Sequence, residues 1–233
     1  MSDIISIEKL KKSIDNKDII NNLNLKINKG DVYGLLGMNG AGKTTLIKLI
    51  FDIYKPDEGV IKIMNYNSLK KNYEEFKKIG TMIEAPSFFE NLSAVENLKI
   101  HCDYQNYSYE NITDTIELVG LSEENDKAVK NYSLGMRQRL GIARAIVHKP
   151  ELLILDEPIN GLDPKGIVDV RNLLLKLNKE LGITMLISSH IISELEKVSN
   201  RIGIMHDGEI YKEFELSENS DLDLESFVIA LLQ

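Results

Sequence analysis

A single cysteine, Cys102, stands in 233 residues, so no internal disulfide can form and the chain suits a reducing compartment. Apolar runs are short: 152–155 and 227–232 fall well below the ~18 residues needed to cross a bilayer. The opening MSDIISIEKLKK lacks the apolar core of a secretion signal. Action at a membrane would therefore need a partner chain. Positive charge is also in deficit, with 28 Lys and Arg against 36 Asp and Glu for a net −8, the opposite of a nucleic-acid binder's usual balance. No internal repeat or low-complexity tract is visible. What remains is 43% hydrophobic and 27% charged, the profile of a soluble domain, at a length that fits one domain or one domain with an inserted lobe.

The hydrophobic pattern changes period along the chain. Runs at 4–7, 23–27 and 31–37 read as strands, punctuated by turn residues at 28–30 and 55–59. A helix is expected from Gly42, carrying Leu46, Leu49 and Ile50 inward. From 92 to 148 the pattern is helical: Ser93 with Glu96 three residues on has capping-box spacing, and Ile112, Ile116 and Val119 recur at helical intervals. The apolar run 151–155 reads as a buried parallel strand. It is followed by a helix over 164–180, a strand over 183–187 and a helix over 191–198. Strands at 202–205 and 209–213 flank Asp207-Gly208, a hairpin signal. A small amphipathic helix is expected over 222–232. The sum is an α/β core with a helical subdomain, about 85–148, inserted in its middle.

Residues 37–44, Gly-Met-Asn-Gly-Ala-Gly-Lys-Thr, match G-x-x-x-x-G-K-[ST] between an apolar strand and a helix. A chance match of four fixed positions in such a chain arises on the order of once in a hundred, and the strand–loop–helix context makes it rarer. Glycine lets the backbone turn its N–H groups toward phosphate oxygens, and the helix N-terminus adds a favourable dipole. Gly37, Asn39, Gly40, Ala41, Gly42, Lys43, Thr44 and Thr45 are thus candidate phosphate-binding residues. Lys43 would reach the β and γ phosphates, and the Thr44 hydroxyl would face Mg²⁺. The motif alone leaves the enzyme class open. Leu152-Leu153-Ile154-Leu155 runs into Asp156 and Glu157. Solvated acids capping a strand are one reading of that pair. Beside a phosphate loop the other is a metal-holding Asp156 and a water-polarising Glu157.

Residues 131–147, NYSLGMRQRLGIARAIV, resemble the ABC ATPase family, whose LSGGQ signature stands here as Ser133-Leu134-Gly135-Met136 after Tyr132, with Arg137-Gln138-Arg139 following. The serine and the second glycine are kept; the first glycine and the glutamine are replaced. The resemblance covers nearly the whole chain. It implies a P-loop NTPase fold, a mixed or parallel sheet with flanking helices and an N-terminal antiparallel β part. It also implies MgATP hydrolysis and an ATP-dependent homodimer, in which Ser133, Gly135 and Met136 close over the γ-phosphate held by the opposite copy. Asn160-Gly161-Leu162-Asp163 looks like the family's D-loop, placing Asp163 against the partner. His190 after Ser188-Ser189 looks like the switch histidine, with Glu157 as base. His101, His148 and His206 have no such match and read as structural or surface residues.

Two departures from the family stand out. The adenine-stacking aromatic is replaced by Ile14, which removes about 1 kcal/mol of stacking. The glutamine that senses Mg²⁺ is replaced by Glu84, in Met82-Ile83-Glu84-Ala85-Pro86, a carboxylate that can still join Thr44 and Asp156 around the ion. Glu84, with SLGMRQRLGIARA and DEPINGLDPKGI, most resembles the lantibiotic self-protection and bacitracin-resistance transporters, whose ATPase chain is separate from the membrane chains. The family's membrane permease meets the segment 84–92, where Phe88 and Phe89 either insert at the interface or fill the lobe's core; at least one is expected exposed. The implied placement is cytoplasmic, on the inner membrane face through the permease, without nucleic acid. The alternative within the family is a non-transport ATPase, an assembly or repair factor with a soluble partner. A P-loop kinase or GTPase leaves the 131–147 segment unexplained.

Overall fold

The computed structural model describes residues 3–64, 66–67, 73–216 and 224. The chain divides into two units, Met1–Lys71 with Leu186–Gln233, and Asn72–Met185. The fold is α/β, with one antiparallel and one mixed sheet.

In the first unit, β1 (Asp3–Ile14) and β2 (Lys17–Asn28) form a long antiparallel hairpin. Asp15 and Asn16 close it with φ of 50° and 61°, positive at both central positions as the twist of a two-residue hairpin requires. Both strands extend well beyond the expected 4–7 and 23–27. Over 8–13 and 17–22 most side chains are polar and solvent-facing, and only Leu10 and Ile20 are fully buried, so the apolar signal thins while pairing continues. The strand β4 (Glu58–Ile63) pairs antiparallel with β1, and β5 (Tyr66–Asn67) completes the order β2-β1-β4-β5. The turn residues at 55–59 hid β4 from the sequence pattern.

The same unit contains β3 (Val32–Leu36), the last four residues of β8 (Thr184–Ser189), β9 (Arg201–His206) and β10 (Glu209–Glu215), in the order β10-β9-β3-β8. Pairing is parallel between β3 and β9 and antiparallel between β9 and β10. All five residues of β3 are buried. At its base Arg201 bonds Asp31 at 3.0 Å and Glu213 at 3.2 Å. Tyr33 donates to Glu213 at 2.7 Å; burial, then the Glu213 charge, raise its phenol well above the ordinary range. The unit's described helices include α1 (Lys43–Ile50) and, later, α7 (Ile192–Leu195). The latter is only four residues, against the expected 191–198. Asn200 bonds both polar backbone groups of Val32, at 2.8 and 3.0 Å, and this draws the chain out of the helix into β9.

The second unit contains α2 (Tyr73–Phe76), β6 (Ile79–Met82), α3 (Ala94–Gln105), α4 (Ile112–Leu118), α5 (Leu134–Ile146), β7 (Leu152–Asp156) and α6 (Pro164–Leu181). β6 and β7 run parallel. The Ser93 capping box is present: Ser93 Oγ accepts from Glu96 N at 3.2 Å, and Glu96 Oε2 accepts from Ser93 N at 2.7 Å. On α6, Val170, Leu173, Leu174 and Leu177 are buried at the spacing of one helical face. Helices α3 to α5 make up half of the 85–148 segment; β6, β7 and α6 lie in the same unit. The segment 222–232 lies outside the described residues except for Leu224, which is helical and buried. No described helix is long and apolar enough to cross a membrane.

Gly80 on β6 lies directly beneath α5, where a Cβ would run into the backbone carbonyl of Ala145. Backbone cannot swing aside as a side chain can. Gly80→Ala should therefore lower stability by about 3 kcal/mol, the upper part of the overpacking range, read as a fall in the urea midpoint. An unchanged midpoint would refute this contact.

Candidate functional site

The phosphate loop follows directly from β3. Gly40 and Gly42 have φ of 88° and 105°, a region costly for any residue with a Cβ. Space is tight as well: a Cβ on Gly37 would stand 2.7 Å from Met205 O, and one on Gly42 2.9 Å from Ile19 O. Gly42 is the N-cap of α1 and offers no side-chain acceptor, so the first-turn N–H groups face outward for an anion. Lys43 is only 6% exposed; its Nζ donates to Gly37 O at 2.6 Å and Met38 O at 3.3 Å. Thr44 and Thr45 open the helix, half-buried.

A cavity of about 280 Å³ lies against 37–41 and includes the exposed His190, which follows β8, together with Lys17, His206 and Asp207. Gly37 N donates to Ser189 O at 3.2 Å, tying the loop to the strand that delivers His190. Ile14 pairs with Lys17 across the hairpin and is half-buried, outside the residues lining this cavity.

In the second unit β7 is buried throughout and ends on Asp156, 4% exposed. Glu157 follows with φ 50° and Glu84 with φ 62°, a left-handed conformation in which ordinary side chains are strained by about 1–3 kcal/mol. The register pairs Met82 with Leu155; continued past the strand ends, it sets Glu84 level with Glu157. Both acids thus leave the carboxyl ends of adjacent parallel strands through the same backbone turn.

Ser133 caps α5, its Oγ accepting from Met136 N at 3.3 Å. Asp163 caps α6, its Oδ1 accepting from Gly166 N at 2.8 Å, with Pro164 at the first helical position. Both helix N-termini open on one cavity of about 880 Å³, lined by Ser133, Gly135, Met136, Asp163, Lys165 and Gly166 among others. Four of the residues singled out in the sequence meet here. Leu134, where the family has glycine, is 49% exposed beside them.

A third cavity, of about 320 Å³, lies over the segment after Glu84 and is lined by Ser87, Phe88, Phe89, His101, Tyr104 and Arg144 among others. Phe89 is 54% exposed and Phe88 half-buried under the Arg144 guanidinium, 5.1 Å from its ring. Arg144 also donates to Ser87 O at 2.9 Å. The Asn97 amide brackets Phe89, accepting from its N–H at 2.8 Å and donating to its carbonyl at 3.1 Å. Arg137 clasps Glu90 with both guanidinium nitrogens, holding that carboxyl below its ordinary range. Sequence reasoning missed Lys17, His206 and Asp207 beside the loop, and His101 and Arg144 here. The Asp207-Gly208 turn was legible; its position beside 37–41 was not, because that depends on long-range pairing.

Residues 20–160 match the family described as ABC transporter. The uncharacterized ABC transporter ATP-binding protein YcbN of Bacillus subtilis (strain 168) is 46% identical over 219 residues, covering 94% of this chain and 71% of its own. The bacitracin transport ATP-binding protein BcrA of Bacillus licheniformis is 47% identical, covering 91% and 70%. The lantibiotic transport ATP-binding protein SrtF of Streptococcus pyogenes is 41% identical, covering 93% of each chain. Among solved structures, the ADP conformation of MJ1267, an ATP-binding cassette of an ABC transporter, superposes with a TM-score of 0.86 at 25% identity over 98% of this chain and 99% of that one. The dimeric post-hydrolysis cassette MJ0796 with ADP and Pi gives 0.80 at 26% identity, over 91% and 99%. None of these relatives supports the non-transport alternative.

Burial, then the charges of Arg144 and His148, lower the His101 pKa from 6.5 to about 4. Between those values the unfolded chain holds a proton that the folded imidazole refuses, so stability rises with pH across this window and is lost on acidification. Urea midpoints measured from pH 7 to pH 4 should fall, and His101→Gln should flatten part of that fall. Parallel curves for parent and variant would rule His101 out as the source.

Proposed function

This chain belongs to the ABC transporter ATP-binding family, and from that premise we propose that it powers export of a peptide antibiotic or similar amphiphile through separate membrane subunits. The observation that carries the reading is the buried Lys43 inside a glycine-turned loop at an uncapped helix start, a cradle shaped for polyphosphate. Membership of the family makes the chain an ATPase of transport; the relatives named for bacitracin and lantibiotics support the substrate class.

Lys43 and the backbone of Gly37, Asn39, Gly40, Ala41, Gly42, Thr44 and Thr45 bind the triphosphate. Thr44, Asp156 and Glu84 offer hydroxyl and carboxylate oxygens, the hard donors that suit Mg²⁺. When bound, the metal neutralises charge on the phosphate oxygens. Glu157 takes a proton from the water that attacks the γ-phosphorus; the bond to the bridging oxygen breaks and leaves ADP and phosphate. His190 orients that exchange. Ser133, Gly135 and Met136 cap the nucleotide of a second copy, with Asp163 at the junction. The segment 84–92, which carries Phe88 and Phe89 to the rim of a cavity, meets the permease, with the chain on the cytoplasmic face of the membrane.

Glu157→Gln keeps the shape of the side chain and removes the base. ATP hydrolysis should fall by about 10²–10⁴-fold while nucleotide binding persists and the chain accumulates as an ATP-bound dimer. Turnover at the parent rate would remove Glu157 from the chemistry. In cells carrying the cognate membrane subunits, the parent chain should raise resistance to bacitracin or a lantibiotic and the variant should not. Equal sensitivity with and without the parent chain would discard the proposed cargo.

A further inference from the structure

We infer that Arg144 anchors a carboxylate of the permease, and that the groove around Phe88 and Phe89 is a cationic, aromatic socket for an Asp or Glu flanked by apolar residues. The inference rests on the permease contact proposed above for 84–92. One wall of the groove is that segment, through Ser87, Phe88 and Phe89. Another is α3, which places Ile100, His101 and Tyr104 on the groove within little more than one helical turn. Arg144 of α5 completes it.

The cation meets no acid here. Arg144 is half-buried, and its Nη1 donates to Ser87 O at 2.9 Å. The Phe88 ring attracts its charge but takes up none of its other N–H groups as a strong acceptor would. None of the described residues lining the groove is Asp or Glu. The acids of 85–105 are each engaged elsewhere: Glu90 by Arg137, Glu96 by Ser93 N at 2.7 Å, and Asp103 by the Tyr109 hydroxyl. Helix α5 itself, Leu134–Ile146, carries arginines and no acid. His101 registers the imbalance. After burial, the Arg144 charge is the next cause that lowers its pKa, so at neutral pH an uncharged imidazole stands beside an unopposed positive charge.

A guanidinium partly shut away from water with donors unmet is costly, and a carboxylate meets two of them at once in parallel geometry. The flanking rings decide what carries that carboxylate. Phe89 is 54% exposed and Tyr104 79%. A free inorganic anion would pair with Arg144 and leave both rings wet. A polypeptide segment with apolar residues beside its acid covers them, and arginine and tyrosine are the side chains on which such interfaces concentrate their binding energy. The socket is also held in shape before anything binds. The Asn97 amide brackets the Phe89 backbone and Arg144 pins Ser87 O, which limits the ordering cost of docking.

The test is a double-mutant cycle on binding of the full chain to its cognate membrane subunits, solubilised in detergent. Arg144→Gln should weaken binding about thirty-fold, and Arg144→Lys should restore only part of it, because it returns the charge without the fork. One Asp→Asn or Glu→Gln substitution in a cytoplasmic loop of the permease should weaken binding of the parent chain to a similar extent. Adding Arg144→Gln to that permease variant should then cost less than about threefold more. The permease-side substitution leaves this chain untouched, so it decides the matter even where Arg144→Gln lowers the urea midpoint. Unchanged affinity in Arg144→Gln, unchanged affinity in every such permease variant, or losses that simply multiply would each overturn the inference while leaving the contact at 84–92 standing. A parent chain that fails to bind its cognate membrane subunits at all would remove that contact, and the proposed function with it.

Discussion

The loop at 37–43 is organised around one buried ammonium. A lysine nitrogen shut away from water is costly unless its donors are met, and Lys43 meets them on the carbonyls of Gly37 and Met38. That demand makes the chain double back within six residues, which only the left-handed Gly40 and Gly42 allow. It also demands that Gly37 lie against Met205 and Gly42 against Ile19 without side chains of their own. The fully buried β3 delivers the chain to this point and the ion pairs of Arg201 fix its base. The same ammonium, surrounded by outward N–H groups, is suited to phosphate: the feature that constrains the loop most tightly is also the one that gives it chemistry.

In the second unit α5 plays the corresponding part. Its N-cap, Ser133, opens on the cavity of about 880 Å³, while Arg137 and Arg144 on its length reach Glu90, Ser87 and Phe88. A helix of 13 residues spans roughly 20 Å at about 1.5 Å per residue, and a packed helix transmits displacement as a body. Under the proposed function this joins the surface that meets the second copy's nucleotide to the aromatic groove that meets the permease. The bidentate clasp of Arg137 on Glu90 adds orientation as well as attraction, although its exposure limits its contribution to stability.

Local chemistry made much of this legible in the sequence. The Ser93 capping box, the Asp207-Gly208 hairpin, the 37–44 loop and the acid-terminated strand at 152–156 each satisfy a requirement that neighbouring residues settle among themselves. The missed features depend on distant partners. Strands β1 and β2 continue through polar stretches because each is paired along its length, which no period-two count at 8–13 shows. Strand β4 is hidden by turn-forming residues, and α7 is cut short because Asn200 bonds Val32. Lys17 and His206 carry no motif; they line the loop cavity because a glycine turn far along the chain anchors there. Motif matching would have passed them by, and no local signal marks them.

The acidic residues extend the same reasoning to strain. In open α/β sheets ligands gather beyond the carboxyl ends of the strands, and the candidate residues obey that rule strand by strand. Strand β3 leads into the phosphate loop, β7 into Asp156 and Glu157, β6 toward Glu84, and β8 into His190. Asparagine or aspartate would take a left-handed backbone at lower cost than glutamate, yet glutamate stands at both 84 and 157 with φ of 62° and 50°. Stability alone does not favour that choice twice at one sheet edge. Under the proposed function, a longer carboxylate carried past the strand end satisfies a different demand, reach toward the bound nucleotide and its metal, and Glu84 shares that backbone geometry with Glu157.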